Sequence, residues 1–387
     1  MGLARRAGVL RRGQSRVLVI LGELFAFLSL ILFLRTEGAV ATLLILLGLG
    51  ACWVVYNRAL RLQDRIASAF REEKVFATLL GLLLLLSIPF MLRDAPYLIH
   101  LCLTAGIYIM LATGLNYQLG STNIVNLATA ASYGVGAYAS ALLSIHLGLP
   151  FWVTLFAAGA SAACMGFVLG LPTVKTKDYY LSLVTIAFGL IVYVLLNNLQ
   201  FTGGPNGIGG IPAPSLFGYS FKSELNLFGF KLPFHANYYY LVLFFVFLYT
   251  LVSQRLSFSR TGLTWNAIRE DEIAARCAGI HVSNYKILSF CINCFMDGVT
   301  GAVYAHYIGF ISPENFQFML SVVVVTMVIL GGMDNVYGVI FGAVMLTLLP
   351  EKFRLFDEFR LLLFGVIVIA TLVFRPQGLF PQKLRRY

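Results

Sequence analysis

Few side chains in this sequence have the types and spacing that a catalytic centre requires. The five histidines, at positions 100, 146, 235, 281 and 306, are far apart and show no metal-ligand spacing. Cys291 and Cys294 form a C-x-x-C pair, but it lies in an apolar stretch, which favours packing over redox or metal chemistry. The sequence contains no G-x-x-x-x-G-K-[ST], H-E-x-x-H or G-x-S-x-G motif. We therefore expect no enzymatic activity, no ATP-hydrolysing site, no metal and no cofactor in this chain.

One carboxylate has a stronger chemical implication. Asp297 lies near the middle of an apolar run, and Asn293 lies one helical turn earlier, where it could form a hydrogen bond with Asp297. A charge at the centre of a membrane helix costs about 2.5–3.5 kcal/mol on insertion scales, so it should face the bundle interior and a partner. Two interpretations follow. Asp297 is either a structural carboxyl, protonated or paired with another subunit, or a cavity carboxylate that binds the α-ammonium group of an amino acid.

A second polar segment, residues 116–136, mixes Asn and Thr with glycine and alanine. Small residues at one-turn spacing, including Gly134, Gly136, Gly298 and Gly301, let helix backbones approach closely, so packing alone is one interpretation. So polar a segment is also tolerated in a membrane where it faces protein or a water-filled cavity. We predict part of a substrate path here. The residues assigned to this path are Asn123, Asn126, Thr129, Asn293 and Asp297.

The elements that position these residues follow from composition. Of the 387 residues, 59% are hydrophobic and 12% are charged, roughly half the charged fraction of a soluble domain. Apolar runs of about 20 residues recur, and they are continuous rather than alternating, which favours membrane helices over barrel strands. The fold class predicted is an all-α polytopic membrane protein. About twelve transmembrane helices are expected, at 17–34, 38–56, 75–92, 97–116, 124–145, 150–171, 179–198, 237–253, 286–309, 317–331, 337–350 and 360–374.

The formal net charge of +11 follows from this topology. With both termini in the cytoplasm, 21 of the 28 Lys and Arg residues lie on the cytoplasmic side and 7 on the other. This positive-inside bias accounts for the charge without nucleic-acid binding. The first apolar stretch has no small-residue cleavage site behind it, so we interpret it as a retained helix rather than a signal peptide. The expected surroundings are membrane lipid.

The chain is predicted to contain three regions. Residues 1–74 form an N-terminal appendage of two helices and an interfacial amphipathic stretch at 58–74. Residues 75–380 form the main bundle, and 381–387 form a basic cytoplasmic tail. Long polar segments interrupt the bundle at about 199–236 and 254–285, and loops of this length often carry function.

The polar segment at about 199–236 is glycine-dense. It is either a simple turn or an outer gate that also seats a partner, for which glycine supplies freedom at positive φ. The residues assigned to this outer loop are Gly203, Gly204, Pro205, Asn206 and Gly207.

The polar segment at about 254–285 carries the most specific pattern. Asp271 and Glu272 stand at the start of a predicted short helix, where the helix dipole favours acids, and Gly279 suits its end. The sequence Ala267-Ile-Arg-Glu-Asp-Glu-Ile-Ala-Ala, followed by Gly279-Ile280, resembles the coupling loop of the branched-chain amino acid permeases of ABC transporters. Four further groups of motifs match that family in the right order. They begin at Gly114, Asp178, Gly309 and Leu349, and the whole match covers about residues 97–380.

This resemblance implies the M-type permease subunit of an ATP-driven importer in the bacterial inner membrane, with residues 75–380 as the permease core. The implied partners are a second related permease, two cytoplasmic ATPases that bind the ATP, and a periplasmic substrate-binding protein. Glu272, Ala274 and Ala275 would sit in a groove of one ATPase. The coupling-loop residues carried over from the family are Arg269, Glu270, Asp271, Glu272, Ala274, Ala275 and Gly279.

Departures from the family pattern leave the substrate open. Asp297 stands where the family usually has alanine, Asp334 stands where it has a small residue, and 119–128 is less rich in glycine and leucine. Branched-chain amino acids are the expected cargo. Urea, short amides or other small amino acids in the same importer class are the alternative. An ion-coupled secondary transporter using Asp297 and Asp334 is a further alternative, which the coupling-loop pattern disfavours.

Overall fold

The computed structural model describes residues 12–36, 48, 68–70, 72–173, 178–216, 218–227, 230–352, 365–366, 369, 373 and 378–380. The basic tail and most of the amphipathic stretch lie outside the described residues, as do the helices predicted at 38–56 and 360–374 apart from residues 48, 365–366, 369 and 373. The division of the chain into 1–74, 75–380 and 381–387 stays a prediction.

Ten of the twelve predicted membrane helices lie in the described part of the chain, and all ten are helical. Two shorter helices, α8 and α9, follow α7. The bounds are α1 Arg12–Arg35, α2 Lys74–Met91, α3 Pro96–Asn116, α4 Thr129–Leu147, α5 Phe151–Thr173, α6 Asp178–Asn198, α7 His235–Ser257, α8 Arg260–Glu270, α9 Glu272–Cys277, α10 Val282–Ile308, α11 Phe318–Gly331 and α12 Val336–Lys352.

Eight described stretches are long and apolar enough to cross a membrane. Many of their large apolar side chains are exposed, such as Leu28 at 57% and Leu183 at 61%, as expected for surfaces in contact with lipid. The protein is therefore an all-α polytopic membrane protein, as the composition predicted.

The chain forms two compact units, residues 1–99 with 351–360, and residues 100–350 with 361–387. In the first unit, α1 packs beside α2. An ion pair joins Arg16 Nε to Glu73 Oε1 at 3.2 Å near one end of the pair. Arg35 Nη2 donates a hydrogen bond of 2.5 Å to the Met91 carbonyl near the other end.

The centre of the second unit is α10, which packs against α4 and α5. The contact is close because glycines meet there. A Cβ on Gly136 would lie 2.3 Å from Gly298 Cα, and a Cβ on Gly301 would lie 2.2 Å from the Tyr133 carbonyl oxygen. The predicted close approach of helix backbones at these glycines is confirmed.

The span predicted at 124–145 is wrong at its start. Helix α3 runs into a π-helical turn, Tyr117–Ser121, which we call the π-turn, and residues 123–128 are not helical before α4 begins at Thr129. We call residues 123–128 the break. Its apolar residues read as a helix, but side chains satisfy the backbone instead. Asn126 Oδ1 accepts from the Ala128 N–H at 2.9 Å, and Thr185 Oγ1 accepts from the Leu127 N–H at 3.1 Å.

Short strands join the loop after α6 to the end of α10. Strand β1 Ile208–Gly209 pairs antiparallel with β6 Phe310–Ile311. Two small hairpins lie between β1 and α7. Their strands are β2 Ser215–Leu216, β3 Tyr219–Ser220, β4 Leu225–Leu227 and β5 Phe230–Leu232.

Gly136→Ala tests the glycine packing. The added methyl group would overlap the α10 backbone at Gly298, and overpacking of this kind costs roughly 1–3 kcal/mol. We expect a lower thermal unfolding temperature for the full chain purified in detergent. Gly189→Ala is the matched control, because its Cβ would meet nothing nearer than the Leu127 carbonyl oxygen at 3.7 Å. An unchanged unfolding temperature for Gly136→Ala would contradict the packing described here.

Candidate functional site

A buried glutamine connects the break to α10. Gln118 lies in the π-turn and is 0% exposed. Its Oε1 accepts hydrogen bonds from Asn126 Nδ2 of the break and from Asn293 Nδ2 of α10, each at 3.0 Å. Gln118 is not among the residues predicted for the substrate path, although a glutamine at the end of an apolar helix is a visible signal. Its importance depends on two residues that are distant in sequence.

Asp297 is also fully buried, and it lies in α10 one turn after Asn293. Its Oδ2 accepts a hydrogen bond of 2.6 Å from Ser132 Oγ of α4. The expected hydrogen bond between Asn293 and Asp297 is absent from the described residues, because the Asn293 amide donates to Gln118 instead. Gln118, Asn126, Ser132, Asn293 and Asp297 together are the polar cluster.

Three polar atoms of this cluster have no hydrogen-bond partner among the described residues. They are the acceptors Asn293 Oδ1 and Asp297 Oδ1 and the donor Gln118 Nε2. Both acceptors face α3 at the same place, since a Cβ on Gly114 would lie 3.2 Å from the first and 3.4 Å from the second. Buried polar groups without partners are rare and costly, and they often mark a ligand or catalytic role. The cluster therefore offers two acceptors and one donor.

The structure places the remaining residues of the predicted path in different surroundings. Thr129 is buried at the start of α4, and its Oγ1 also has no hydrogen-bond partner among the described residues. Asn123 is exposed, with φ of +56°, and it does not join the cluster. The structure thus brings Asn126 and Asn293 together through Gln118 and leaves Asn123 apart.

Asp334 lies in the turn between α11 and α12. Its φ is +66°, a region in which Asp and Asn are tolerated better than most residues. The Asp334 N–H donates to Asn116 Oδ1 at 2.9 Å, and Ser121 Oγ donates to Asp334 Oδ1 at 3.2 Å. A Cβ on Gly120 would lie 2.5 Å from the Asp334 nitrogen, so this turn packs directly against the π-turn.

The segment predicted as a coupling loop contains α8 and α9, and we call residues 260–279 the coupling segment. Asp271 separates the two helices and caps α9, because its Oδ1 accepts from the N–H groups of Ile273 at 2.8 Å and Ala274 at 3.0 Å. Gly279 follows α9 with φ of +83°. Helix α8 is anchored on α10, since the buried Trp265 donates a 2.9 Å hydrogen bond to the Tyr285 carbonyl.

Glu272 faces its own chain. Its carboxylate pairs with Arg276 at 2.6 Å and with Lys286 of α10 at 2.8 Å. Partial burial by itself raises the pKa of Glu272, but the hydrogen bonds and charges of Lys286 and Arg276 outweigh it and leave the pKa below its ordinary value. These pairs hold α9 against α10.

These contacts determine the outward surface of α9. Ala275 is buried, and Glu272 is held by Lys286 and Arg276. The seating of Glu272, Ala274 and Ala275 in a groove of an ATPase stays a prediction. Ile273 is 75% exposed, and Glu270, Asp271 and Ala274 beside it are exposed. An exposed isoleucine on a segment rich in charge suits contact with another protein.

Arg269 is turned toward the bundle. Its Nη1 donates a 2.6 Å hydrogen bond to the Gly120 carbonyl in the π-turn. This contact links the coupling segment to the turn that carries Gln118.

The outer glycine loop folds back on the end of α10. Gly203, Gly204 and Gly207 have φ of +75°, +54° and +69°. A Cβ on Gly207 would lie 2.2 Å from the Ile311 carbonyl oxygen, so only glycine fits there. Pro205 and Asn206 are exposed at the tip of this loop.

The fold and the buried polar cluster define a polytopic helical membrane protein with polar groups in its interior. A family described as "Branched-chain amino acid transport system / permease component" matches residues 97–372, and this chain belongs to that family. The High-affinity branched-chain amino acid transport system permease protein LivM of Escherichia coli (strain K12) is 38% identical over 323 residues, which cover 80% of this chain and 75% of that protein.

More distant relatives include both permease types. The Probable branched-chain amino acid transport permease protein LivM of Methanocaldococcus jannaschii is 25% identical, over 72% of this chain and 91% of its own length. The High-affinity branched-chain amino acid transport system permease protein LivH of Escherichia coli (strain K12) is 24% identical, over 70% of this chain and 90% of its own length. No solved structure matches this chain significantly.

Glu272→Gln tests the anchoring of α9. The variant keeps the size of the side chain but loses its charge, so we expect faster amide hydrogen exchange across α9 at neutral pH. Because the folded-state pKa lies below the ordinary value of 4.5, the pairing stabilises α9 fully above pH 4.5 and is lost as the pH falls through the folded pKa. The wild-type protein and the variant should therefore converge in acid.

Glu270→Gln is the matched control for this comparison. It removes the same charge from an exposed neighbour and should leave exchange across α9 unchanged. A difference between wild type and Glu272→Gln that persists at low pH would show that charge pairing is not the cause.

Proposed function

We propose that this chain is the permease subunit of an ATP-driven importer for branched-chain amino acids in the bacterial inner membrane. Family membership over residues 97–372 carries the proposal, together with the printed function of the LivM relative that is 38% identical. The full topology proposed has twelve membrane helices with both termini in the cytoplasm. The distribution of basic residues, 21 against 7, supports this orientation.

The coupling segment supports an ATPase partner. In the proposed orientation it lies in the cytoplasm, and its exposed Ile273 and Ala274 offer an apolar contact flanked by the charged Glu270 and Arg276. Two cytoplasmic ATPases would bind the ATP, since the sequence has no phosphate-binding glycine motif. ATP-driven closure of these partners would act on this chain through α9.

The remaining partners proposed are a second related permease and a periplasmic substrate-binding protein. The similarity of this chain to both LivM and LivH proteins supports two homologous permeases in one transporter. The outer loop at 203–207 lies on the proposed periplasmic side. Its fixed glycine geometry and exposed tip suit it to seat the binding protein or to act as a gate.

The polar cluster supports an amino acid as cargo. The two free acceptors, Asn293 Oδ1 and Asp297 Oδ1, match the donors of an α-ammonium group, and the free donor, Gln118 Nε2, matches a carboxylate. Interrupted helices near the centre of the membrane commonly form substrate sites in transporters. The close packing at Gly114 means that the bundle must open before cargo reaches these atoms. Alternating access would provide that opening.

Uptake by vesicles that contain the assembled complex tests the function. We expect ATP-dependent uptake of labelled leucine that excess unlabelled isoleucine or valine suppresses and urea does not. Suppression by urea alone would support the amide-transporting alternative within the same class. Uptake that persists without the ATPases would overturn the proposal in favour of an ion-coupled transporter.

Asp297→Asn tests the role of the carboxylate in cargo binding. The variant retains the shape and can still accept from Ser132, but it replaces the unpartnered Oδ1 with an amide NH2 group, which cannot accept from an ammonium group. We expect leucine uptake to fall by about tenfold or more, with complex assembly unchanged. Asp94→Asn, at an aspartate whose side chain is 82% exposed, is the matched control. Normal uptake by Asp297→Asn would assign Asp297 a packing role only.

A further inference from the structure

The π-turn is a meeting point of the membrane bundle. Gln118 within it holds the break through Asn126 and holds α10 through Asn293, each by a 3.0 Å hydrogen bond. Two residues later, Gly120 packs against the backbone of Asp334 in the α11–α12 turn. A displacement of this single turn therefore acts on the break, on α10 and on the α11–α12 turn together.

One side chain connects the coupling segment to this turn by a hydrogen bond. Arg269, in the last turn of α8, donates from Nη1 to the Gly120 carbonyl at 2.6 Å. The donor is charged, and such hydrogen bonds are shorter and stronger than those between neutral groups. The carbonyl lies near the C-terminal end of the π-turn, where helix geometry leaves oxygens available for an outside donor.

Helix α8 is suited to transmit a movement. Trp265 and Ile268 are 1% and 4% exposed, so one face of α8 is buried along its length. Asp271 ends α8 and caps α9 at once, which leaves little slack between the two helices. A force applied at the exposed Ile273 of α9 reaches Arg269 through this short, capped connection.

We propose that the hydrogen bond from Arg269 to Gly120 carries movement of the coupling segment to the break in the membrane helix, so that Arg269 is a positioning residue rather than a partner contact. This inference rests on the proposed function, in which a cytoplasmic partner moves α9. The break is the element that this movement would rearrange, because side-chain hydrogen bonds, rather than helix bonds, hold its Leu127 and Ala128 N–H groups. The partner supplies the free energy of the movement, and Arg269 determines which part of the bundle is displaced.

Arg269→Gln in the assembled complex tests the link. The variant keeps a polar side chain but loses the charge and the reach of the guanidinium group. We expect binding of the ATPases and their ATP hydrolysis to stay within about twofold of wild type, while leucine uptake falls by about tenfold, within the usual range of coupling between sites. The number of ATP molecules hydrolysed per leucine transported therefore rises. A purely structural defect would not raise this ratio, because it would lower hydrolysis and uptake together.

Three further variants make the outcome decisive. Arg269→Lys keeps the charge with a different donor geometry and should give uptake between that of wild type and that of Arg269→Gln. It also tests the hydrogen bond if Arg269→Gln folds poorly. Arg255→Gln, the same change at an exposed position in the last turn of α7 and outside the coupling segment, should leave uptake unchanged. Ile273→Asp should abolish ATPase binding itself, which separates docking from transmission.

The results that overturn the inference are distinct from those that overturn the proposed function. Normal uptake by Arg269→Gln and Arg269→Lys would show that the hydrogen bond transmits nothing. Loss of ATPase binding in these variants would make Arg269 a docking residue. Absence of ATP-dependent uptake in the wild-type complex would instead overturn the proposed function.

Discussion

The constraint on which this structure depends is that a backbone inside a membrane must satisfy its own hydrogen bonds. Helices do so automatically, and most of the described chain takes that solution. Between Asn123 and Ala128 the chain departs from it, and side chains accept hydrogen bonds from the Leu127 and Ala128 N–H groups. Such a replacement requires buried Asn, Gln and Thr in a segment that would otherwise be apolar. The polar cluster lies where the chain leaves the helix and packs these side chains in the interior of the bundle.

Two kinds of packing surround this break. On one side, glycines bring α4, α5 and α10 into backbone contact, and an interface so close deforms little. On the other side, the break is held through hydrogen bonds to Gln118 and Thr185, which are directional and can be exchanged. A bundle that is closely packed on one side and held by exchangeable hydrogen bonds on the other would open on the hydrogen-bonded side. That side contains the three unpartnered polar atoms of the cluster.

The coupling segment shows how a short sequence can serve two neighbours. Residues of α8 and α9 alternate between an inward face, with Trp265, Glu272 and Ala275, and an outward face, with Ile273 and Ala274. The inward residues fix the segment on α10, and the outward residues are available to a partner. Glu272, an acidic residue predicted to contact a partner, also anchors α9 on α10 through its ion pair with Lys286.

Hydrophobicity and charge in the sequence determined the class of fold, the approximate positions of ten described helices and the close packing at glycines, because each depends on local composition or spacing. The motif at 267–280 identified the family, since its residues are contiguous. The start of α4, the central role of Gln118 and the inward directions of Arg269 and Glu272 were decided only by the tertiary structure. Each depends on a hydrogen bond or ion pair to another helix, such as Gln118 to Asn293 or Arg269 to Gly120. A single sequence states which residues are polar, but the packing of distant helices decides which of them meet.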